Sequence, residues 1–459
     1  MDTGDTAWML ASSALVLLMT PGLAFFYGGM VRSKSVLNMM MMSVSALGLI
    51  GVLWVLYGYS MAFGADIGGG LVGNPGQFLG LQGTFGGTYL ATEGGPAADI
   101  PLVATIPATV FVAFQAMFAI ITVALISGAA ADRLRFGPWL LFAGLWATLV
   151  YFPVAHWVFA FDGVTAGADS AGGWIANQLK AIDFAGGTAV HINAGAAALA
   201  LCLVLGKRRG WPKEPMRPHN LTLVMLGAGL LWFGWFGFNA GSAVASNGIA
   251  GITFVNTLVA TSAAMLAWLL VERIRDGKPT SLGAASGIVA GLVAITPSCS
   301  SVSPIGAIAV GAIAGILCAL AVGLKFRLGF DDSLDVVGVH LVGGLVGTLL
   351  VGLFATTSAP AGVDGLFYGG GFDQLWRQAV GAFAVLFYSF VISLILAYLV
   401  KAVTGLRVTE ESEVTGIDEG EHAETGYDFS SLRAGGGLSH SSLPPVKVPA
   451  EPVPAGKES

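Results

Sequence analysis

Hydrophobic residues in this chain come in long blocks separated by short charged punctuation. Reading from one charged residue to the next gives uncharged windows at 6–31, 35–65, 100–131, 136–161, 184–206, 218–271, 279–324, 336–363 and 378–400. A helix that crosses a bilayer needs about 20 predominantly apolar residues. The windows 218–271 and 279–324 are each long enough for two spans, with breaks near Asn239 to Asn247 and Thr296 to Pro304. The pattern predicts an all-α integral membrane protein with 11 transmembrane helices.

Composition sharpens this picture. Hydrophobic residues make up 55% of the chain and charged residues 10%, against roughly 25% charged in a soluble domain. Glycine, at 66 of 459 residues, is about twice its usual share of roughly 7%, and small residues let membrane helices approach closely. Cys202, Cys299 and Cys318 lie in apolar stretches without metal-ligand spacing, so they are expected to be small buried hydrophobes. Asp2 and Asp5 precede the first window with no early Lys or Arg, which predicts a retained span rather than a secretory signal. The net charge of -6 argues against nucleic acid as a partner.

The basic residues orient the spans. One alternation places Arg32, Lys34, Arg133, Arg135, the cluster Lys207 to Arg217, Arg273, Arg275, Lys278, Lys325, Arg327 and the tail's Lys401, Arg407, Arg433, Lys447 and Lys457 on one side. That is 19 of the 21, with Lys180 and Arg377 opposite, so the N-terminus is expected outside and the C-terminus in the cytoplasm. Residues 66–99 carry no Lys or Arg and read as an irregular, Gly-rich outer loop. The expected organisation is a transmembrane domain at 1–407 and a cytoplasmic tail at 408–459. The tail is acidic to about 428, with Glu410, Glu411, Glu413, Asp418, Glu419, Glu421, Glu424 and Asp428, then rich in Gly, Ser and Pro, for which disorder is expected.

Two histidines stand inside the uncharged windows in matched contexts, Val190-His191-Ile192-Asn193-Ala194-Gly195 and Val339-His340-Leu341-Val342-Gly343-Gly344. Both fit V-H-x-x-x-G, and each follows an aspartate, Asp183 or Asp332, by eight residues. An ionisable side chain at membrane depth is costly and points to function. The histidines fall in spans 5 and 10, and an odd repeat length inverts the second copy, which brings equivalent residues together near the midplane. Burial favours the neutral imidazole, so the pair is suited to hydrogen-bonding a small polar molecule rather than holding a metal cation. Core histidines bonded to neighbouring helices, and a haem held by both imidazoles, are the alternatives the residues leave open.

Longer blocks carry a resemblance. PGLAFFYGGMVRSKS (21–35), ITVALISGAAADRLRF (121–136), DFAGGTAVHIN (183–193), PHN (218–220), GWFGFNAGS (234–242), FVNTLVAT (254–261), GLVAITP (291–297) and DDSLDVVGVH (331–340) are collinear over roughly residues 8–428. The chain resembles the Amt/Mep/Rh ammonium transporter family, specifically its bacterial Amt branch. The resemblance implies a cell-membrane ammonium transporter, not an enzyme, with an inverted five-plus-five repeat, one additional helix and a trimeric assembly. It implies no cofactor. It carries Phe114, Phe159 and Ser242 to an outer ammonium-recruiting site, with Asp183 behind it, Phe118 and Phe238 to a stacked gate, His191 and His340 to the pore lining, and Thr296 to a position beside the pore.

One departure stands out: many relatives have Trp where this chain has Phe159, with Trp157 two residues earlier. Phenyl is the weaker cation-π partner, so a less tightly held cation is expected. The expected substrate is ammonium or ammonia, with methylammonium as analogue, in contact with membrane lipid. The tail resembles the family's ordered tail, and a trimeric PII signalling protein is the implied cytoplasmic partner. A Rh-like neutral gas channel and an ammonium sensor are the other readings, although a sensor usually adds an output domain.

Overall fold

The structure, a computed structural model, describes residues 1–86, 100–165, 170–214 and 216–427. Asp428, Arg433, Lys447, Lys457, the tail remainder expected to be disordered and part of the 66–99 segment lie outside the described residues. Among the described residues, ten helices are long and apolar enough to cross a membrane. In chain order they are α1 (Thr3–Met30), α2 (Ser33–Phe63), α3 (Ala108–Ala130), α4 (Phe136–Phe159), α5 (Gly187–Leu205), α6 (Leu221–Gly241), α7 (Gly248–Arg275), α9 (Pro304–Leu328), α10 (Val337–Phe354) and α11 (Asp373–Thr404). Between α7 and α9 lies α8, the shorter apolar helix Ser281–Ile295. Its 15 residues fall short because the chain leaves helical geometry after Ile295 and runs through a buried turn to Pro304.

Both long windows are broken close to the expected positions, between Gly241 and Gly248 and between Ile295 and Pro304. Side chains supply the new helix starts. The Asn247 side-chain Oδ1 accepts from the amides of Ile249 and Ala250, and Ser303 Oγ accepts from Gly306 N, with Pro304 in the first turn. Charged residues do not end α11, which runs 32 residues through Arg377 and Lys401. Long basic side chains reach sideways to polar partners: Arg377 donates to Leu179 O at 2.8 Å and Lys401 to Val204 O at 3.3 Å.

Glycine explains how closely these helices pack. A methyl group on Gly29 of α1 would stand 2.6 Å from Asn220 O, and one on Gly227 of α6 would stand 2.3 Å from Phe26 N. Gly234 similarly meets Leu15 O, so residue numbers rise along α1 as they fall along α6. The two helices are antiparallel and in backbone contact. Gly311 and Gly315 of α9 lie equally close to the backbone of Ala260 and Ala264 of α7, here with residue numbers rising together, so these two helices run parallel. Membrane helices gain no hydrophobic drive from one another, so van der Waals contact at such distances carries the packing.

The tail folds back on one end of this bundle. Residues 406–408 pair with 133–135: Arg135 N donates to Leu406 O and Val408 N to Arg133 O. Two short helices follow, α12 (Glu410–Thr415) and α13 (Ile417–His422). Asp418 accepts from the amides of Leu37 and Asn38 at 3.0 and 2.8 Å, at the start of α2, and Glu421 accepts from Phe136 N at 3.1 Å, at the start of α4. Acidic side chains thus meet the positive ends of two membrane helices. Arg209 N donates to Glu413 at 2.6 Å, and His219 Nε2 contacts the Tyr427 hydroxyl at 2.7 Å. The N-terminus lies at the other end, where Asp2 N bonds Thr105 O.

Candidate functional site

The start of α5 is built around Asp183. Its Oδ1 accepts from Gly186 N and Gly187 N at 2.8 and 2.6 Å. Its Oδ2 accepts from Thr188 N at 2.7 Å and Ala189 N at 3.3 Å, and from the Thr188 hydroxyl. Gly186 has φ 115°, a conformation that glycine adopts readily. The carboxylate thereby satisfies the amides of residues 186–189, the first turn of α5.

Directly after the cap, Gly187–Ile192 is a stretch of π-helix containing His191, and Val337–Leu341 is the corresponding stretch containing His340. A π-turn widens the helix locally and is frequent at functional sites. The two stretches cross. A methyl group on Gly195 would stand 2.5 Å from Leu341 N, and one on Gly344 would stand 3.0 Å from Gly187 O and 3.1 Å from His191 Cβ. This accounts for the V-H-x-x-x-G spacing: the glycine one turn after each histidine admits the other histidine's segment.

The imidazoles face each other with Nδ1 to Nδ1 at 3.3 Å and ring centroids 5.4 Å apart. One Nδ1 donates while the other accepts, which two neutral rings satisfy and two imidazolium ions do not. His191 Nε2 has no hydrogen-bond partner. On its other face His191 stacks on Trp235 at 5.4 Å and 20°. Trp235 Nε1 is held by Thr296 Oγ1 at 2.9 Å, and that hydroxyl donates to Leu292 O at 2.7 Å. Thr296 therefore stands one residue away from the histidines, acting on them through Trp235.

Beside His191, Phe118 and Phe238 stack with centroids 4.1 Å apart at 13°. Two cavities flank this pair. On the side away from the tail lies one of about 250 Å³ whose walls include Phe118, Phe159, Gln115, Thr165 and Ser242. On the other is a narrow space of about 10 Å³ bounded by Phe238, Trp235, His191 and His340, with room for about one water-sized probe. The stacked rings separate the two. Ser242 Oγ donates to Phe238 O at 2.8 Å, which leaves its lone pairs to accept from a guest. Phe159 meets Phe118 edge-on at 6.2 Å.

Two expected site residues stand elsewhere. Phe114 is fully buried and packs behind Phe118, with centroids 4.9 Å apart. It backs the Phe118 ring and is not among the residues lining the larger cavity. Asp183 lies on the wall of a neighbouring cavity of about 370 Å³. Conversely, Trp235, Gln115 and Thr165 face the two spaces and were not singled out by the sequence. Trp235 had a signal: with Phe238 and Ser242 it forms an i, i+3, i+7 series, one face of a helix.

The chain matches the Ammonium Transporter Family over residues 7–427. It is 71% identical to an ammonium transporter of Mycobacterium tuberculosis, over 97% of this chain and 93% of that protein. It is 46% identical to an ammonium transporter of Bacillus subtilis, over 94% and 100%. Among solved structures, Mep2 of Candida albicans superposes with a TM-score of 0.78 at 34% identity, covering 90% of this chain and 88% of that one. A structure titled Sensor Amt Protein superposes with 0.80 at 28% identity, covering 91% and 98%. The fold and site thus define a multi-pass membrane protein of a transporter class. The chain belongs to the ammonium transporter family.

Proposed function

We propose that this protein moves ammonium nitrogen across the cell membrane by recruiting the cation, removing a proton and passing ammonia. Counting α8 with the ten longer helices gives 11 spans, and 19 of the 21 basic residues then fall on the tail side. That side is the cytoplasm, and the larger cavity opens outward. Ser242 supplies an acceptor for an ammonium N–H, and Phe118 and Phe159 supply aromatic faces worth about 0.5 to 2 kcal/mol for a cation. The observation that carries this reading is the order of the site: a cavity with an acceptor and aromatic faces, a stacked phenyl pair, then two mutually hydrogen-bonded imidazoles, with no charged side chain lining these spaces among the described residues.

A bare cation in such a passage costs on the order of tens of kcal/mol. Ammonium escapes that cost by leaving a proton behind near Phe118 and Phe238, whereas potassium has none to lose. His191 and His340 offer the passing ammonia a donor and an acceptor. The relatives' names support the substrate, and Asp183 shapes the vestibule by fixing the start of α5. Assembly as a homotrimer in lipid, and regulation by a PII protein at the folded-back tail, complete the reading. Reconstituted protein on a supported membrane is predicted to give a current on an ammonium pulse and none on a potassium pulse. Ammonium-driven internal pH change without current would instead favour a neutral gas channel.

A further inference from the structure

The wall of the larger outer cavity is tied together from behind by a carboxylate that is not one of its lining residues. Two segments outside the membrane helices contribute to that wall. Val103 and Ala104 come from the hairpin ahead of α3, in which Leu102–Val103 pairs with Ile106–Pro107, and Ser242, Ala243 and Val244 come from the link between α6 and α7. Each segment holds a residue other than glycine in left-handed backbone geometry, Ala104 at φ 51° and Val244 at φ 53°. A Cβ makes such a conformation costly, most of all in β-branched valine, so it persists only where the surroundings enforce it.

Both turns are held by Asp5, in the first turn of α1. Its Oδ2 accepts from the Thr105 hydroxyl at 2.6 Å, next to Ala104. Its Oδ1 accepts from Ser246 N at 2.7 Å and from the Ser246 hydroxyl at 3.2 Å, two residues beyond Val244. Asp5 N donates to Asp2 Oδ1 at 2.8 Å and Asp2 N to Thr105 O at 2.8 Å, so the start of α1 grips the hairpin turn through main chain and side chain alike. Hydrogen bonds to an ionised carboxylate are shorter and stronger than neutral ones. Ser242 lies four residues before Ser246, where α6 ends. Ser242 N donates to Asn239 O at 3.0 Å and Val244 N to Gly241 O at 2.9 Å, so the link is anchored on the helix at one end and on Asp5 at the other.

We propose that Asp5 is a positioning residue of the outer recruiting site: by holding Thr105 and Ser246 it fixes the two left-handed turns, and through them the place from which Ser242 presents its acceptor to ammonium. The inference rests on the recruiting reading of this cavity. Asp5 acts on the cation through Ser242, so its effect belongs to capture and not to passage beyond Phe118 and Phe238. Its hydrogen bonds carry that effect, and its charge serves to strengthen them.

The test is the ammonium-pulse current of reconstituted full-length protein, measured over a range of ammonium concentrations. Asp5→Ala is expected to raise the half-saturating concentration by about 3- to 10-fold, the span of one neutral hydrogen bond, with the maximal current retained. Asp5→Asn keeps an acceptor for Ser246 N without the charge and is expected to recover most of the affinity. Thr105→Val keeps the charge and removes one donor, and a smaller rise than that of Asp5→Ala is expected. A monodisperse Asp5→Ala protein with unchanged half-saturation overturns the proposal, whether its maximal current is kept or, as general damage would have it, lost. Equal losses of affinity in Asp5→Asn and Asp5→Ala overturn it too, since the charge alone would then account for both. Should Asp5→Ala not fold, Thr105→Val decides, and a half-saturation that does not move overturns the proposal equally. Absence of a saturable current in the unmodified protein sinks the recruiting reading itself, and this inference with it, a failure distinct from one confined to the variants.

Discussion

The two histidine segments are built to one plan and finished differently. Each has an aspartate eight residues ahead, a π-turn carrying the histidine and a glycine one turn on. At the His191 end, Asp183 collects four backbone amides and a hydroxyl. At the His340 end, Asp332 collects one hydrogen-bonded amide and leaves an oxygen bare. The glycines differ too, since a methyl group on Gly195 would stand 2.5 Å from Leu341 N whereas one on Gly344 would find its nearest neighbours at 3.0 Å and beyond. Repetition sets where the imidazoles meet. Local hydrogen bonding decides which carboxylate is fully satisfied and which is only partly so.

Removing the carboxylates breaks this comparison most severely. Asp183→Ala strands several buried amides, each costing about 1 to 3 kcal/mol, so it is expected to prevent recovery of monodisperse protein or to lower the melting temperature far more than Asp332→Ala. Thermal unfolding in detergent measures both, and equal losses would mean the two ends are equivalent. A smaller effect is expected from the glycines. Gly195→Ala forces a backbone shift and should destabilise by about 1 to 3 kcal/mol, the usual range for overpacking, while Gly344→Ala should fall at or below the lower limit. The same melting assay reads the order, and a larger loss at Gly344 would contradict the crossing geometry.

Much of the scaffold was legible because membrane helices must be apolar over a fixed length. The breaks in both long windows were marked by Asn247, Ser303 and Pro304, residues whose side chains or ring start a helix. Charge was a poor marker of helix ends, as α11 continues through Arg377 and Lys401, whose aliphatic stems let the charge reach the boundary. The histidines were legible as a repeated motif. Their neighbours were less so: whether a phenylalanine faces a cavity or a helix interior depends on rotation that a uniformly apolar helix does not encode. Phe114 and Phe118 are one turn apart on α3, yet Phe118 faces the larger cavity and Phe114 stands behind it. Trp235 is fixed by Thr296, a residue from a distant part of the chain just past the end of α8.

The central claim is that two neutral imidazoles pass ammonia and deny bare cations. Ammonium and potassium pulses on a supported membrane, applied to protein carrying both His191→Ala and His340→Ala, test it most directly. The folded double variant is predicted to lose the ammonium current or to admit potassium. An ammonium current of unchanged size, with potassium still excluded, would contradict the account.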